Sequence, residues 1–564
     1  MPNTAKPVLS KPRPRLALLG VPNCPLVAQI AGSDAFESRA WWLEARAEPK
    51  LGASERLYRA LDRRLFGVHS PQSPLAAMQA FDADDVAAWA PDVLVCLTDT
   101  RSLPAALRAA LPEQRLLVLQ AEDQAGDRLS EAVRAQVGRA GGLVRLRWSV
   151  WSARAGKGSD ISHDISHEIS DSARLELGQG SDVFEAACAI EHASLQRSID
   201  MVVMKAPAAL LGAVRRLLNQ APQPWPGDAS AGPPTSPWRL CWHMLTAACI
   251  WPLRRARWRI RLYDVHPRSH GLHADSNDVE SVVANAAAAG ATDGASVAVT
   301  TKPTRALRSE TRLHSPAGTF WADPFLHRHS DGRLFVFFEE FSFSAARGHI
   351  AALELGDNST GVATAVLREP WHLSYPFLIP LAGKLYMIPE SGEHRSVDLY
   401  VCDEMPQRWR KVCTLIENKR LADATLVFRN KRWWMFAAHG DDGASVSDEM
   451  HIYWAEDLFG PWHAHALNPV RMHGRNTRPA GAFVERNGRL YRPVQDCSDI
   501  YGGGLQFTEV LRLDEHHFDE MEVTPDWINL PAVKPGVPAH TFNQLGAMVC
   551  MDVQRMALRR PSWR

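Results

Sequence analysis

The sequence predicts a multidomain protein in which an N-terminal α/β domain of the Rossmann-like class precedes a five-bladed β-propeller. The chain of 564 residues is too long for a single ordinary core, so two or three domains are expected. Its first part alternates short apolar runs with helical patterns, whereas its second part repeats a strand–turn–strand unit. We place the α/β domain at 13–218, a linker at 219–257 and the propeller at 258–555.

The composition excludes two classes of protein. The chain carries 63 basic and 63 acidic residues, so it lacks the positive excess of a general nucleic-acid binder. Its 46% hydrophobic content excludes a wholly disordered chain. Nine cysteines without paired spacing indicate reduced thiols, and the first residues lack the apolar run of a secretory signal. We therefore expect a cytoplasmic protein.

The α/β domain rests on two apolar strands and on segments with helical spacing. Leu16–Val21 and Asp92–Leu97 are typical of buried parallel strands, and 54–66 and 105–110 have helical periodicity. Near 155–175 the repeated units of SDISHDISHEIS predict a disordered surface insertion.

The linker is rich in Pro, Gly, Ser and Ala, and it ends in an apolar segment. Leu240–Leu253 spans fourteen residues, too short to cross a bilayer as a helix, and a cluster of arginines follows it. Two interpretations stay open: a buried helix, or an amphipathic helix in peripheral contact with the inner membrane. A second low-complexity stretch at 267–305 is predicted to be an excursion within the propeller.

Four repeat units define the propeller. Each is an apolar strand, a tight turn (DG, AG, NK or NG) and a second strand rich in aromatic residues. The equivalent positions Asp323, Tyr375, Asp423 and Arg478 are 52, 48 and 55 residues apart, the size of one four-stranded blade. A fifth blade is expected to start near His540 and to be closed by the strand Trp258–Val265.

The repeat also predicts where chemistry would occur. The first residue of each first strand and the last residue of each second strand meet at one end of the hairpin, so both sets should surround one mouth of the central channel. The second strands end seven residues after the turn. The expected mouth residues are Asp323, Tyr375, Asp423, Arg478, Glu339, Glu390, Ala438 and Gln495.

Glycosidic-bond chemistry requires two facing carboxyl groups, one kept ionised and the other protonated, and this set contains four. We take Asp323, Glu390, Asp423 and Glu339 as catalytic candidates. Arg478 would hold a phosphate or a carboxylate. The remaining candidates for substrate binding are Tyr375, His372, Gln495, Asp496, Trp321 and His540. The structural alternative for each is a turn residue, an ion pair or blade core.

No metal site is predicted. The pairs His463/His465 and His327/His329 place two imidazoles on one face of a strand, but neither has a third ligand at diagnostic spacing.

The motifs WADPF, HLSYPF, YMIPES, LADATLVF, TRPAG and YRPVQDCSDIYGGGL stand in the propeller region. They resemble the N-terminal domain of glucosamine inositolphosphorylceramide transferases, and the resemblance covers nearly the whole region. Bacterial proteins also carry this domain without the plant enzyme's C-terminal transferase part, and we expect this chain to be a bacterial protein of that kind. The domain is similar in architecture to five-bladed furanosidase-type glycoside hydrolases, which use an Asp as base or nucleophile, an orienting Asp and a Glu acid.

This resemblance implies roles for four residues. Asp323 matches the Asp at the start of the first blade, and Asp423 matches the orienting Asp, although Ala424 stands where Pro is usual. Glu390 is the preferred acid, with Glu339 second.

The N-terminal region more faintly resembles the nucleotide-type α/β domain of formyltransferases, through its two strands and the segment LYRALDRRLF. The HxSLLP-type loop of that family is absent from the sequence. The resemblance therefore implies a domain that has lost the chemistry.

We expect a carbohydrate-active protein of cell-surface glycan or glycolipid biosynthesis, acting by sugar transfer or other glycosidic-bond chemistry at the propeller centre. A sugar-nucleotide donor is implied, and no other cofactor is predicted. The alternative is a non-catalytic glycan-binding or scaffold module that partners a glycosyltransferase. A third hypothesis is formyl transfer to a sugar nucleotide by the N-terminal domain.

Overall fold

The computed structural model divides the chain into two compact units. The first comprises 1–138, 144–186 and 191–241, and the second comprises 139–143, 187–190 and 242–564. The residues described are 13–20, 24–42, 56, 58, 60–62, 64, 78–98, 116–121, 124–125, 129–137, 143–151, 181–190, 194–219, 254–266, 306–356, 362–440, 444–525, 527–528, 530 and 537–558.

Among its described residues, the first unit contains one eight-stranded sheet and four helices with defined bounds, and residues 56, 58, 60–62 and 64 are also helical. The strands follow the order β3-β2-β1-β4-β5-β7-β8, with β6 paired to β5. Their bounds are β1 Arg15–Gly20, β2 Glu37–Trp42, β3 Met78–Ala80, β4 Val93–Cys96, β5 Leu116–Ala121, β6 Gln124–Ala125, β7 Val144–Trp151 and β8 Ser181–Cys188. The helices are α1 Pro25–Ala31, α2 Ala83–Trp89, α3 Leu129–Gln136 and α4 Leu195–Leu218.

The two predicted apolar strands lie side by side. They correspond to β1 and β4, which pair in parallel. The neighbouring pairs β1–β2, β2–β3 and β4–β5 are also parallel, whereas β7 runs antiparallel to β5. A strand buried on both faces needs a nearly continuous apolar run, which explains the composition of both segments. The Rossmann-like class and the formyltransferase resemblance remain predictions.

Local capping explains where two helices begin. The Asp82 side chain accepts hydrogen bonds from the backbone N–H groups of Asp84 and Asp85 at the start of α2. Ser194 accepts one from Arg197 N–H at the start of α4. Both residue types are favoured at this position because a side-chain oxygen satisfies an otherwise unpaired N–H group.

The second unit is a five-bladed β-propeller, as predicted. Each blade is a four-stranded sheet. The blade strands are β9 Arg254–His266, β10 Ala306–Arg312, β11 Thr319–Arg328, β12 Leu334–Ser342, β13 Arg347–Leu355, β14 Thr364–Leu367, β15 Ser374–Leu381, β16 Lys384–Glu390, β17 Ser396–Glu404, β18 Arg408–Glu417, β19 Leu421–Arg429, β20 Arg432–His439, β21 Met450–Ala455, β22 His463–Ala464, β23 Val484–Arg486, β24 Arg489–Asp496, β25 Gly504–Leu513, β26 Phe518–Val523, β27 Phe542–Leu545 and β28 Met548–Leu558.

The fifth blade combines strands from both ends of the propeller region. Its order is β10-β9-β28-β27, so the two C-terminal strands pair with the two strands that precede the first blade. Strands β28 and β9 are antiparallel over eleven residue pairs, from Met548↔Asp264 to Leu558↔Arg254. The predicted ring closure is confirmed.

The hairpin turns explain the repeat seen in the sequence. In the second, third and fourth blades both turn residues have positive φ: 50° and 72° at Ala382–Gly383, 54° and 60° at Asn430–Lys431, and 51° and 73° at Asn487–Gly488. Such turns match the right-handed twist of the strands that they join, and Gly or Asn reaches them at low cost.

Several sequence predictions lie outside the described residues. They are the helical segment 105–110, the insertion near 155–175, the linker from 220 through the apolar segment 240–253, and the excursion 267–305. The helical segment 54–66 is described only in part. Where the chain is described, the cysteines form no disulfide. No helix among the same residues is both long enough and apolar enough to cross a membrane.

Candidate functional site

The strand register brings the predicted mouth residues together in pairs. Cross-strand partners are Ala322↔Glu339, Ser374↔Glu390 and Ala422↔Ala438. In the fourth blade Gln495 N–H donates to the Arg478 carbonyl at 2.9 Å. In the fifth blade the pair Phe542↔Met551 places Thr541 opposite Asp552.

Three first strands share an unusual backbone at the mouth. Asp323, Tyr375 and Asp423 have φ of 52°, 45° and 54°, a left-handed conformation that is rare for non-glycine residues. Each lies in a β-bulge, between Ala322 and Phe325 in the first blade and at the equivalent places in the next two. Bulges redirect side chains, and retained backbone strain of this kind is typical of functional sites.

Tyr375 shows where the redirected side chains point. Its hydroxyl is 2.7 Å from Thr425 Oγ1 of the third blade and accepts a hydrogen bond from Gly481 N–H of the fourth at 2.7 Å. Gly481 has φ of 126°, and a Cβ there would lie 1.9 Å from the Phe542 carbonyl oxygen. Only glycine allows this close approach between the fourth and fifth blades. Tyr375 is fully buried and joins blades.

Asp323 is held by the neighbouring second and fifth blades. Its Oδ1 accepts a hydrogen bond from Thr541 Oγ1 at 2.8 Å, and its Oδ2 accepts one from Tyr375 N–H at 3.2 Å. His540 Nε2 lies 3.6 Å from Oδ1. Burial raises the pKa of Asp323 to about 6, although the nearby His540 acts in the opposite direction.

Asp552 organises this half of the mouth, and the sequence analysis missed it. Its Oδ1 accepts hydrogen bonds from the N–H groups of His540 (3.0 Å) and Thr541 (2.9 Å). Its Oδ2 accepts one from Asp323 N–H at 2.9 Å and contacts His540 Nδ1. Burial lowers the pKa of His540, but Asp552 and Asp323 outweigh it, so that the net pKa is raised. The His540 ring also stacks on Trp258, with centroids 3.8 Å apart.

In the other half of the mouth, Asp423 is paired with the permanently charged side chain of Arg478. Its Oδ2 accepts hydrogen bonds from Arg478 Nε at 2.6 Å and from Gln495 Nε2 at 2.9 Å. Arg478 also donates to Glu390 Oε2 at 3.5 Å, and Glu390 shares a hydrogen bond with Asp423. Burial raises the pKa of Asp423 to about 7, whereas Arg478 lowers it. The guanidinium lies 4.8 Å from the ring centroid of Tyr501, another residue that the sequence analysis missed.

Glu339 lies in the mouth without a comparably close cation. Its Oε1 is 3.5 Å from His372 Nε2. Burial, and then the charges of Asp323 and Glu390, raise the pKa of Glu339 well above its usual value. Gly348 makes room for it, because a Cβ at that position would lie 2.4 Å from Glu339 Oε1. His372 is oriented by the same residue, since its Nδ1 accepts from Gly348 N–H at 2.9 Å.

Two of the predicted substrate-binding residues, Trp321 and Asp496, make side-chain contacts within the propeller. Trp321 is not an open platform for a sugar ring: it is buried, packs on Phe338 and donates from Nε1 to Glu340 Oε2 at 2.7 Å. Asp496 accepts hydrogen bonds from Ser498 through Oδ1 and from Gln506 through Oδ2, so it organises its own loop.

The two histidine pairs do not form metal sites with a third ligand among the described residues. The His327 and His329 ring centroids are 6.4 Å apart. His463 packs on Trp454, and His465 is buried with Nδ1 accepting from Leu467 N–H.

Comparison with known proteins supports the resemblance of the propeller region. Residues 285–536 match the family model described as glucosamine inositolphosphorylceramide transferase 1, N-terminal. The chain is 34% identical over 212 residues to glucosamine inositolphosphorylceramide transferase 1 of Oryza sativa subsp. japonica, covering 36% of this chain and 28% of that protein. The Arabidopsis thaliana protein of the same name is 32% identical over 231 residues, covering 40% and 29%. The chain thus spans less than a third of these curated relatives.

Solved structures similar to the chain include two glycoside hydrolases. Zg3597, a family 117 glycoside hydrolase of the marine bacterium Zobellia galactanivorans, has a TM-score of 0.29 and 11% identity, covering 42% of this chain and 84% of that one. A thermostable family-43 glycoside hydrolase has a TM-score of 0.28 and 11% identity, covering 38% and 78%.

Proposed function

We propose that the propeller mouth binds the sugar part of a glycan or glycolipid and that its carboxyl groups catalyse glycosidic-bond chemistry, by transfer or hydrolysis. The observation that carries the proposal is the arrangement of two carboxyl groups in one mouth: Glu339 is buried near other carboxyl groups, which raises its pKa, and Asp323 is held by hydrogen-bond donors. A protonated and an ionised carboxyl are the two groups that this chemistry requires. The glycolipid context comes from the relatives' names.

Glu339, and not Glu390, is the proton donor in this proposal. Glu390 is engaged by Arg478, which donates to its Oε2 at 3.5 Å, and by a hydrogen bond shared with Asp423. Glu339 is more deeply buried and lies beside other carboxyl groups, which favours its neutral form.

Asp323 is the proposed base or nucleophile, and Asp423 is the orienting carboxylate. Asp323 receives one side-chain and one backbone hydrogen bond, which fix the direction of its lone pairs. Asp423 holds Arg478 and Gln495 in place. In this proposal Arg478 is a structural partner of two carboxyl groups and not a phosphate ligand.

Three partly exposed side chains line the proposed approach to the buried carboxyl groups. They are His372, Glu390 and Tyr501, of which Tyr501 exposes 44% of its surface. An aromatic ring and polar groups at a mouth suit a sugar, which offers both apolar faces and hydroxyl groups. We further propose a sugar-nucleotide donor, a cytoplasmic location with peripheral contact to the inner membrane, and a glycosyltransferase partner.

The test combines binding and turnover. Nucleotide sugars and simple glycans are titrated calorimetrically into the full chain and into Asp323→Asn and Glu339→Gln, and products are followed by mass spectrometry. We expect wild-type turnover, and a decrease of about 10²–10⁴-fold in Glu339→Gln with binding retained. The matched control is Asp403→Asn, whose carboxylate pairs with Arg410 at the surface.

A non-catalytic glycan-binding module is the second candidate. It is favoured by the hydrogen bonds of Asp323, because both of its oxygens already have partners within the propeller. This candidate predicts glycan binding without turnover, unchanged in Glu339→Gln. That outcome would contradict the catalytic proposal and leave a recognition role.

Formyl transfer remains a separate hypothesis for the first unit. It predicts dependence on a formyl-folate and activity that survives deletion of residues after about 220. Loss of all activity on that deletion would contradict it.

A further inference from the structure

Three buried side chains converge on one side of the third blade, where no role has been assigned. His439 Nδ1 lies 2.7 Å from Glu449 Oε1, and His451 Nε2 lies 2.8 Å from the same oxygen. The ligand-type atoms of all three residues lie within 4.8 Å of one another. We propose that His439, Glu449 and His451 bind a divalent transition-metal ion, with zinc as the representative.

The strand ladder places these residues together. His439 is the last residue of β20, and its N–H donates to the Glu449 carbonyl at 2.8 Å, so the two residues are cross-strand neighbours. Glu449 and His451 are separated by Met450 at the start of β21, and residues two apart lie on the same face of a strand. The backbone thus presents two imidazoles and one carboxylate from adjacent strands.

The donor set has the chemistry that zinc prefers. Two imidazole nitrogens and one carboxylate oxygen form a known zinc ligand set that leaves a fourth position for water or another ligand. All three side chains are buried, with exposures of 8%, 3% and 9%, so competition from bulk water is small. Ligand atoms at 2.0–2.1 Å from zinc are roughly 3.3 Å apart in a tetrahedron, so each of the two histidine–glutamate distances needs to lengthen by about half an ångström.

The surroundings also orient the proposed ligands. Tyr453 Oη lies 3.5 Å from His451 Nδ1, which leaves Nε2 of this ring directed at Glu449. The His439 and His451 rings are stacked, with centroids 4.3 Å apart and an interplanar angle of 26°. A partner on the second ring nitrogen fixes a ligating histidine, as is usual in metal sites.

The opposing interpretation is a hydrogen-bonded network without an ion, in which both imidazoles donate to Glu449. The two interpretations can be distinguished, because only a metal site binds one ion per chain and gives a visible Co²⁺ spectrum. The proposal does not depend on the proposed function, since none of these three residues belongs to the acid–base set.

The experiment uses the full chain, treated with a chelator and then titrated with Zn²⁺ or Co²⁺. We expect one ion per chain, a visible Co²⁺ spectrum of a low-coordinate site, and a rise in Tm on zinc addition. His451→Asn and Glu449→Gln should weaken binding by at least about 100-fold, because loss of outer-shell partners alone costs 10–100-fold. The matched control is His463→Asn, which removes an exposed imidazole of the same blade.

The proposal is overturned if the chain binds no stoichiometric ion, or if both variants bind zinc as the wild type does. Circular dichroism of each variant reports whether it folds. Glu449→Gln retains an oxygen acceptor and nearly the same volume, so it carries the test if a histidine variant fails to fold. Zinc binding in an Asp323→Asn chain distinguishes this site from the mouth, and we expect it to be unchanged.

Discussion

Asp323 and Asp423 occupy equivalent positions in the first and third blades, and different cations lie beside them. Both are buried, both lie in a bulge with φ near 50°, and both have a raised pKa. Asp323 is next to His540, a cation that can lose its proton. Asp423 is bound to Arg478, a cation that stays charged at any physiological pH.

This difference separates a carboxyl that can exchange protons from one that organises its neighbours. A titratable partner allows the charge of the Asp323 group to change with its environment, which suits a base or nucleophile. A bound guanidinium fixes Asp423, which suits an orienting role. One blade position thus supplies two functions because the adjoining blades supply different partners.

Removal of Arg478 is expected to have the largest effect. At pH 8, above the Asp423 pKa of about 7, Arg478→Met leaves an ionised Asp423 buried beside Glu390 without a cation, and breaking a buried ion pair on one side costs about 3–5 kcal/mol. The measurement is the free energy of unfolding in urea. Arg410→Met, which breaks an exposed pair with Asp403, is the control and should cost less than about 1 kcal/mol. Equal losses for the two variants would contradict a fixed role for Asp423.

The pH dependence of stability tests the raised pKa of Asp423. Native Asp423 keeps its proton up to about pH 7, whereas in the unfolded chain it releases it near 3.8. Between these values the native state binds more protons, so this group's contribution to the free energy of unfolding falls as the pH rises. Wild type should therefore lose stability relative to Asp423→Asn from pH 4 to pH 7, by a few kcal/mol. A constant or rising difference would show that Asp423 is ionised throughout.

Asp552→Asn tests the Asp323 half of the mouth. The amide keeps one acceptor oxygen, but its NH₂ group faces backbone N–H groups whose hydrogen bonds Asp552 accepts in the wild type. We expect the free energy of unfolding to fall by about 1–3 kcal/mol. The pKa of His540 should fall, because Asp552 is the largest influence that raises it. NMR titration of the His540 ring protons measures this. Asp331→Asn, in an exposed turn, should leave the pKa unchanged. An unchanged His540 pKa in Asp552→Asn would contradict the positioning role.

The smallest expected effect is at Lys431, which tests the cost of a left-handed backbone conformation away from the mouth. Its φ of 60° resembles the 54° of Asp423, but it lies in the exposed turn of the third blade. Lys431→Gly should therefore raise the free energy of unfolding by about 1 kcal/mol. The reverse change Gly488→Lys, in the equivalent turn of the fourth blade, should lower it by a similar amount. No change in either variant would indicate that this backbone carries no strain.

Much of the propeller could be predicted from residues because one unit is repeated. The turn dipeptides and the count of seven residues to the strand end placed Glu339, Glu390 and Gln495 beside their first-strand partners. Asp552 escaped this count because the fifth hairpin is one residue shorter, so that Asp552 follows the turn residue Gly546 by six positions and not by seven.

What the sequence could not provide were the partners of each side chain. The flat indole ring of Trp321 suits stacking on a sugar, but in the folded protein it packs on Phe338 and donates a hydrogen bond to Glu340. Arg478 has the chemistry of a phosphate ligand, and only the packed mouth shows that two carboxyl groups already engage it. The His439–Glu449–His451 cluster was missed because its members converge through cross-strand pairing, not through a diagnostic spacing.

The most direct test of the account is the protonation state of Glu339 at neutral pH. Infrared difference spectra of wild type and Glu339→Gln, recorded at pH 7, report the carbonyl stretch of a protonated carboxyl group. The account predicts a protonated band in the wild type that is lost in Glu339→Gln and retained in the control Asp403→Asn. If Glu339→Gln removes only the bands of an ionised carboxylate, Glu339 is not held as an acid, and the catalytic assignment of the mouth is wrong.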